Sequence, residues 1–238
     1  MGACEGEDSI RYGLLFKNSI IYSFEPLPDN FNKCVANFAR FTNDNIKPFQ
    51  FALSCRNGNA KFYLSSGNPN GKNSFDWDYG NKSSSLYPPD STYKKYDWLK
   101  FEQTIDIPTK TIESFCAEQS IPEIDFIHMD VQGAELDVLK GAGNHINMIK
   151  SIWLEVENVS MYKGQPLKKD IERFMRQSNF FKIIDTAIGD SGDQLYLNSI
   201  YFSKISPFVL RTKIISRLKI IYSKFVPFKR RILKLFSM

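Results

Sequence analysis

The residues best placed for chemistry in this sequence gather around one segment. Ile124 to Asp130 (IDFIHMD) reads as an apolar strand that ends on a carboxylate, and the following Val131-Gln132-Gly133-Ala134-Glu135 turns at a glycine into a helix. A carboxylate at the carboxyl end of a strand is where open α/β sheets place their ligand crevice. There Asp130 could accept a proton from a hydroxyl or orient a bound group. Alternatively, it caps the next helix by accepting its first N–H groups. His128 shares a strand face with Asp130 by period-two alternation; it either assists proton transfer or is a hydrogen-bonded structural histidine. Glu135 is either a first-turn partner of the helix dipole or an acid facing the pocket. Glu155 stands near the end of the apolar run Ser151–Val156, with Glu157 on the same face. Acids on a buried strand are costly, and either a bound substrate or a salt bridge must offset that cost.

A second group stands at the amino end. The glycines of Gly2-Ala3-Cys4-Glu5-Gly6 would let the backbone approach a nucleotide-like ligand before a helix N-terminus, although an ordinary turn would look the same. About twenty residues on, Glu25 ends a β-rich run, where an acid can accept hydrogen bonds from both hydroxyls of a ribose. Nicotinamide dinucleotides and S-adenosylmethionine share that ribose, so these two motifs alone do not separate them.

Elements that would position these groups follow from periodicity. Glu7–Phe16 suits a helix, Ser19–Phe24 a strand, Asp29–Phe41 a helix and Phe49–Ser54 a strand. Asn57-Gly58-Asn59 then suggests a hairpin turn into Ala60–Leu64. Thr109–Ser120 predicts a helix, Ile124–Asp130 a strand, Glu135–His145 a helix, Ser151–Val156 a strand and Leu167–Gln177 a helix. Phe181–Asp185 and Gln194–Phe202 read as two closing strands around Asp190-Ser191-Gly192-Asp193. The alternation implies a Rossmann-like, doubly wound α/β domain with a mostly parallel sheet and an antiparallel edge hairpin. Residues 65–103 break the pattern with Gly, Asn, Ser and Pro interleaved with Trp77, Tyr79, Tyr87, Tyr93, Tyr96 and Trp98. A long aromatic loop inside a compact domain is usually functional or mobile.

The stretches GACEGEDSIRYGLLF and KNSIIYSFEPLPDNF resemble motif I, its helix and the acidic second-strand motif of the FkbM-type methyltransferases, followed by Pro26-x-Pro28-x-Asn30. IDFIHMDVQGAELDVLKGA and IWLEVEN resemble that family's fourth and fifth strands. The resemblance runs from Gly2 to about Phe202. It implies a class I fold, S-adenosylmethionine as cofactor, and methylation of a hydroxyl on a sugar, glycan precursor or natural product. By the same resemblance Gly2, Ala3, Cys4 and Gly6 line the methionine moiety, Glu25 holds the ribose, and Ala52 and Leu53 border the adenine. Asp130, Glu155 and His128 are then the catalytic candidates, and Glu135, Trp77 and Ser85 the substrate-binding ones. In the loop, the aromatics either stack on sugar faces or pack the loop down, and Ser83-Ser84-Ser85 offers hydroxyls or forms a solvated turn. No tight ligand cluster demands a metal. The family carries an apolar strand before the glycine turn, whereas this sequence opens at Met1 directly on it. The first central strand is therefore expected to be missing, as in a fragment, a decayed copy or a chain read from a downstream start.

Composition divides the molecule. Of 238 residues, the last thirty-five (204–238) hold ten basic and no acidic side chains, leaving 21 basic against 26 acidic groups in residues 1–203. The domain at 1–203 thus lacks the positive footprint that nucleic acid requires. The tail at 204–238 places Leu210, Ile214, Leu218, Ile221 and Phe225 on one helical face beside Lys213, Arg217 and Lys224. Residues 207–238 therefore suit an anionic membrane surface, or else a helix docked on the domain or a partner. Cys4, Cys34, Cys55 and Cys116 are widely spaced with no CxxC pair, which fits a reducing cytoplasm. Without a leader-like or membrane-spanning run, the expected location is cytoplasmic, or peripheral at the inner membrane face. A methyltransferase-like module that binds a partner or membrane without catalysis is the alternative to the enzyme.

Overall fold

The computed structural model describes residues 1–41, 44–67, 80–91, 96 and 98–202. Nine strands and six α-helices occur among them: α1 (Glu7–Leu15), β1 (Ile21–Phe24), α2 (Pro28–Phe41), β2 (Ile46–Phe49), β3 (Ala52–Leu53), β4 (Gly58–Ser66), β5 (Lys100–Lys110), α3 (Ile112–Glu118), β6 (Ile127–Met129), α4 (Glu135–Lys140), β7 (Ser151–Glu157), α5 (Lys168–Gln177), β8 (Phe180–Asp185), β9 (Ser191–Asn198) and α6 (Ser199–Phe202). The protein is mixed α/β. In place of the expected continuous sheet, the described strands form three small ones, β1-β2, β3-β5-β4 and β6-β7-β9-β8.

The pairs β1–β2 and β6–β7 are parallel, and β9 runs antiparallel between β7 and β8, giving the expected edge hairpin. Met1–Ala3 links the first and last sheets. Ala3 N–H donates to Phe24 O at 3.0 Å, Asp130 N–H donates to Met1 O at 3.3 Å, and the Met1 amine donates to His128 O at 2.8 Å. These bonds tie the ends of β1 and β6 together through one short piece of backbone, where orphaned buried groups would otherwise be costly.

Several expected elements are redrawn. The run Phe49–Ser54 is not one strand: β2 ends at Phe49 and pairs with β1, while β3 begins at Ala52 and pairs with β5. The expected hairpin at Asn57–Asn59 is absent because β4 pairs with β5, from the far side of the loop, over Gly58–Ser66. Thr109 and Lys110 belong to β5, and α3 starts after Thr111, whose hydroxyl accepts Ser114 N–H as an N-cap. The helix expected over Glu135–His145 stops at Lys140, and Gly143–Met148 continues as a 3₁₀ turn. The last expected strand ends at Asn198, followed by α6.

The main core lies between the β6–β7 sheet and the helices beside it. Val138 and Leu139 of α4, Ile152 and Leu154 of β7, and Met175 of α5 are fully buried, each such side chain contributing about 1.5–3 kcal/mol. Phe24, Phe49, Phe51 and Phe115 form an aromatic group at the β1–β2 end, with Phe24 and Phe115 edge-to-face at 4.9 Å. This packing fixes the carboxyl ends of β1, β6 and β7, which carry the acids.

Candidate active site

Those three strand ends open on one cavity of about 760 Å³, a size suited to a nucleoside-sized ligand. The glycine turn forms one wall. Gly2 has φ +71°, and a Cβ there would stand 1.7 Å from Asp130 O, so only glycine permits the close contact with β6. Cys4 follows at φ +52°. Gly2, Ala3 and Cys4 line the cavity, whereas Gly6 does not; it is buried at the start of α1, where a Cβ would stand 2.4 Å from the Phe38 ring. Burial pushes the Cys4 thiol up to about 12, which keeps it protonated and removes it as a nucleophile.

Glu25 is buried beneath this turn and faces the cavity. Cys4 N–H donates to its Oε2 at 2.8 Å and Leu27 N–H to its Oε1 at 3.0 Å, so each oxygen keeps a lone pair for a ligand hydroxyl. Burial raises its pKa to about 7, against the lowering effect of those N–H groups and of the Asn30 amide. Asn30 also exchanges two side-chain hydrogen bonds with Asn81, at 3.2 and 3.0 Å. In this way α2 holds the segment 80–86 over the cavity, and Lys82, Ser83 and Ser84 of that segment line it. Ala52 and Leu53 are buried and line it beyond Glu25.

Asp130, Glu155 and Glu157 also line the cavity. Asp130 is exposed and does not cap the following helix. Glu135 reaches back instead, accepting Val131 N–H at 2.9 Å. Glu135 itself is 2% exposed and does not line the cavity. Its carboxyl is held well above the usual range, by burial and then by the Glu157 charge. Burial, followed by the Asp130 charge, raises Glu155 to about 10 and Glu157 to about 7. At neutral pH, therefore, Glu155 keeps its proton and can donate a hydrogen bond beside the exposed Asp130. His128 lines the cavity with Nδ1 3.1 Å from the Tyr12 hydroxyl, and burial lowers its pKa, leaving it neutral.

Gln132, which no sequence pattern singled out, sits between the two carboxyls. Its Nε2 donates to Asp130 Oδ1 at 2.8 Å and stands 3.5 Å from Glu155 Oε2, while its Oε1 accepts from the Tyr162 hydroxyl at 2.9 Å. Its only sequence signal was its place between Asp130 and Gly133. Ser85 is fully buried; its hydroxyl donates to Gln132 O at 2.6 Å and accepts Tyr87 N–H, so it braces this turn and does not face the cavity. Tyr96 and Trp98 line the cavity's rim, edge-to-face at 6.3 Å. Trp77 lies outside the described residues. Among the described residues no three His, Cys, Asp or Glu side chains converge as metal ligands.

Acids outnumber basic side chains nine to one along the described wall, Lys82 being its one lysine. Such a wall favours a cationic ligand. A sulfonium-bearing nucleoside fits on three counts: the charge, the volume and the Glu25 carboxylate. Over 200 residues the chain is 30% identical to the 2-O-methyltransferase NoeI of Sinorhizobium fredii (strain NBRC 101917 / NGR234), covering 84% of this chain and 78% of that protein. No solved structure is significantly similar to it. Residues 1–182 match the family described as the methyltransferase FkbM domain, and the chain belongs to that family of methyltransferases.

Proposed function

We propose that the protein is an S-adenosylmethionine-dependent O-methyltransferase acting on a hydroxyl of a sugar, glycan precursor or natural product. One observation carries this reading: the Gly2–Cys4 turn, the Glu25 carboxylate and the Asp130–Glu155 pair face a single cavity. The 2-O-methyltransferase named among its relatives supports oxygen as the methyl acceptor. The parallel pairs β1–β2 and β6–β7, tied through Met1–Ala3, support a Rossmann-like arrangement despite the separate sheets.

When bound, S-adenosylmethionine supplies a methyl group on a positively charged sulfur. Glu25 would accept the ribose hydroxyls, Gly2, Ala3 and Cys4 would lie along the methionine chain, and Ala52 and Leu53 would border the adenine. Asp130 would accept the proton released by the acceptor hydroxyl, and the protonated Glu155 would donate to an acceptor oxygen. The protein's main contribution is alignment, because an in-line displacement requires the oxygen held close to the methyl carbon. Tyr96 and Trp98 offer faces on which a sugar ring could rest.

Calorimetry with S-adenosylmethionine is the first check, followed by mass spectrometry of methyl transfer to a panel of methyl glycosides. Wild type should bind the donor. Glu25→Ala should weaken binding by about tenfold or more, having removed a charge-assisted acceptor. Asp130→Asn should abolish transfer while sparing donor binding. A folded protein that gives no donor heat would sink the enzyme reading and leave a binding module.

A further inference from the structure

We infer that Gln132 is a positioning residue: its amide holds the Asp130 carboxylate in the orientation needed to accept a proton, and Tyr162 aims that amide. The inference rests on the reading of Asp130 as proton acceptor and adds a part to it.

Three observations support it. First, the Gln132 amide nitrogen has two hydrogens and two carboxylate neighbours, Asp130 Oδ1 at 2.8 Å and Glu155 Oε2 at 3.5 Å. An N–H group placed between two carboxyls bonds to one and screens it from the other. Second, a buried hydroxyl backs the amide. Tyr162 is 1% exposed, and its hydroxyl stands 2.9 Å from Gln132 Oε1 and 2.8 Å from Ser83 O. The hydroxyl's single proton is shared between these two acceptors, and the NH₂ end of the amide faces Asp130 Oδ1, which accepts from it. Third, the backbone at Gln132 is held in an unusual conformation. Gln132 has φ +55° and Gly133 φ +92°, two left-handed residues in succession, and the Ser85 hydroxyl clamps Gln132 O at 2.6 Å. A side chain other than glycine, asparagine or aspartate rarely occupies that region without cause. Here the turn directs the glutamine back over the end of β6.

The surroundings give the arrangement its purpose. The Asp130 charge acts on Glu155 and Glu157 from β7, Glu135 from α4 and Asp193 from β9, as well as on His128 of its own strand and the Met1 amine. Among these neighbours Glu155 and Glu135 are held protonated by burial. The Gln132 N–H bonds to Asp130 Oδ1 at 2.8 Å and so holds that carboxyl in one orientation. Without it, the Asp130 carboxyl should swing more freely.

The test needs no acceptor. In protein labelled with ¹³C at the aspartate carboxyls, the Asp130 resonance is assigned by its loss in Asp130→Asn and then followed against pH. Gln132→Asn suits the left-handed backbone but is one carbon too short to reach, so it should keep the fold and move the Asp130 midpoint away from its wild-type position. Tyr162→Phe, which frees the amide to turn, should move it the same way by a smaller amount and gives a second measurement if Gln132→Asn folds poorly. On methyl glycosides both variants should lower kcat with little change in donor binding and shift the acid limb of the rate profile in the same direction as that midpoint; Gln132→Glu should not restore it. An Asp130 midpoint unchanged in both variants would overturn the inference even if Asp130→Asn is inactive. Turnover retained in Asp130→Asn would instead remove Asp130 as proton acceptor, a failure of the underlying reading that the titration distinguishes.

Discussion

Glu155 shows how a single carboxyl can be kept at a stability cost for use at a site. Its pKa rises from 4.5 to about 10 in the folded protein, because of burial and then the charges of Asp130, Glu157, Glu135 and Asp193. A group whose folded value lies above its unfolded value binds its proton more tightly when folded. Between about 4.5 and about 10, each rise in pH therefore favours the unfolded state, which releases that proton freely. Glu155→Gln keeps the shape and hydrogen-bonding reach of the neutral acid but has no proton to lose. The variant should match wild type in thermal stability near pH 4.5 and exceed it increasingly toward pH 8. A gain of about 1 kcal/mol would raise Tm by roughly 2–4 °C in a protein of this size. It should also methylate more slowly, the usual exchange when a strained functional group is relaxed. Melting curves at several pH values decide the point; a variant less stable than wild type at pH 8 would mean that the carboxylate stabilises the fold.

Among the elements, the turn between β6 and α4 carries the most chemistry and tolerates the least change. Gly133 has φ +92°, and a Cβ there would stand 2.9 Å from the buried Tyr162 ring and 3.3 Å from Gln165 Nε2. Gly133→Ala should cost about 1–3 kcal/mol from backbone strain and this contact, and it should displace Gln132. Thermal melts and donor titrations together should show a lower Tm and lost turnover with donor binding kept, since Glu25, the residue proposed to hold the ribose, is bonded by the Cys4 and Leu27 N–H groups and not by Gln132. This turn also shows what sequence can reveal. Asp130 and Glu155 were legible because charged residues closing apolar strands stand out against their surroundings. Gln132 and Tyr162 were not, because a neutral glutamine and a tyrosine thirty positions later become partners only once folded. The same holds for the strands. Ile152, Leu154 and Val156 alternate with less buried neighbours, so β7 was readable, with Glu157 its added last residue. In β5 most side chains are exposed and Pro108 interrupts the run, and its long partner β4 ends thirty-four positions upstream; its pattern gave no signal. Phe49 to Ser54 read as one strand because Phe49, Phe51, Ala52 and Leu53 make it mostly apolar, but the break at Gln50 and Phe51 passes the chain from β2 to β3 in a different sheet.

At the scale of the whole molecule, charge separates two regions with different work to do. Residues 1–203 carry a net excess of five acids, and the cavity wall is acidic, whereas residues 204–238 carry ten basic groups and no acid. An acidic domain is repelled by an anionic membrane, and a basic amphipathic segment is drawn to one, at about 1 kcal/mol for each lysine or arginine near the surface. The two together would hold the body of the enzyme off the bilayer while keeping it near, an arrangement suited to acceptors that are assembled there. No described helix is long and apolar enough to cross a membrane, so any attachment through these helices must be at the surface. The proposal that residues 207–238 provide it makes a sharp prediction. The full chain should cosediment with vesicles containing about one-third anionic lipid, and far less with purely zwitterionic ones. Raising the salt from about 0.1 M to about 1 M, which shortens the screening length from about 10 Å to about 3 Å, should release it. Deleting 207–238 should abolish sedimentation while leaving donor binding unchanged, because the residues proposed to hold the donor, Gly2–Cys4, Glu25, Ala52 and Leu53, all lie outside that segment. Equal sedimentation with and without the segment would assign any membrane contact to the domain and return the tail to a role in docking on the protein itself or on a partner.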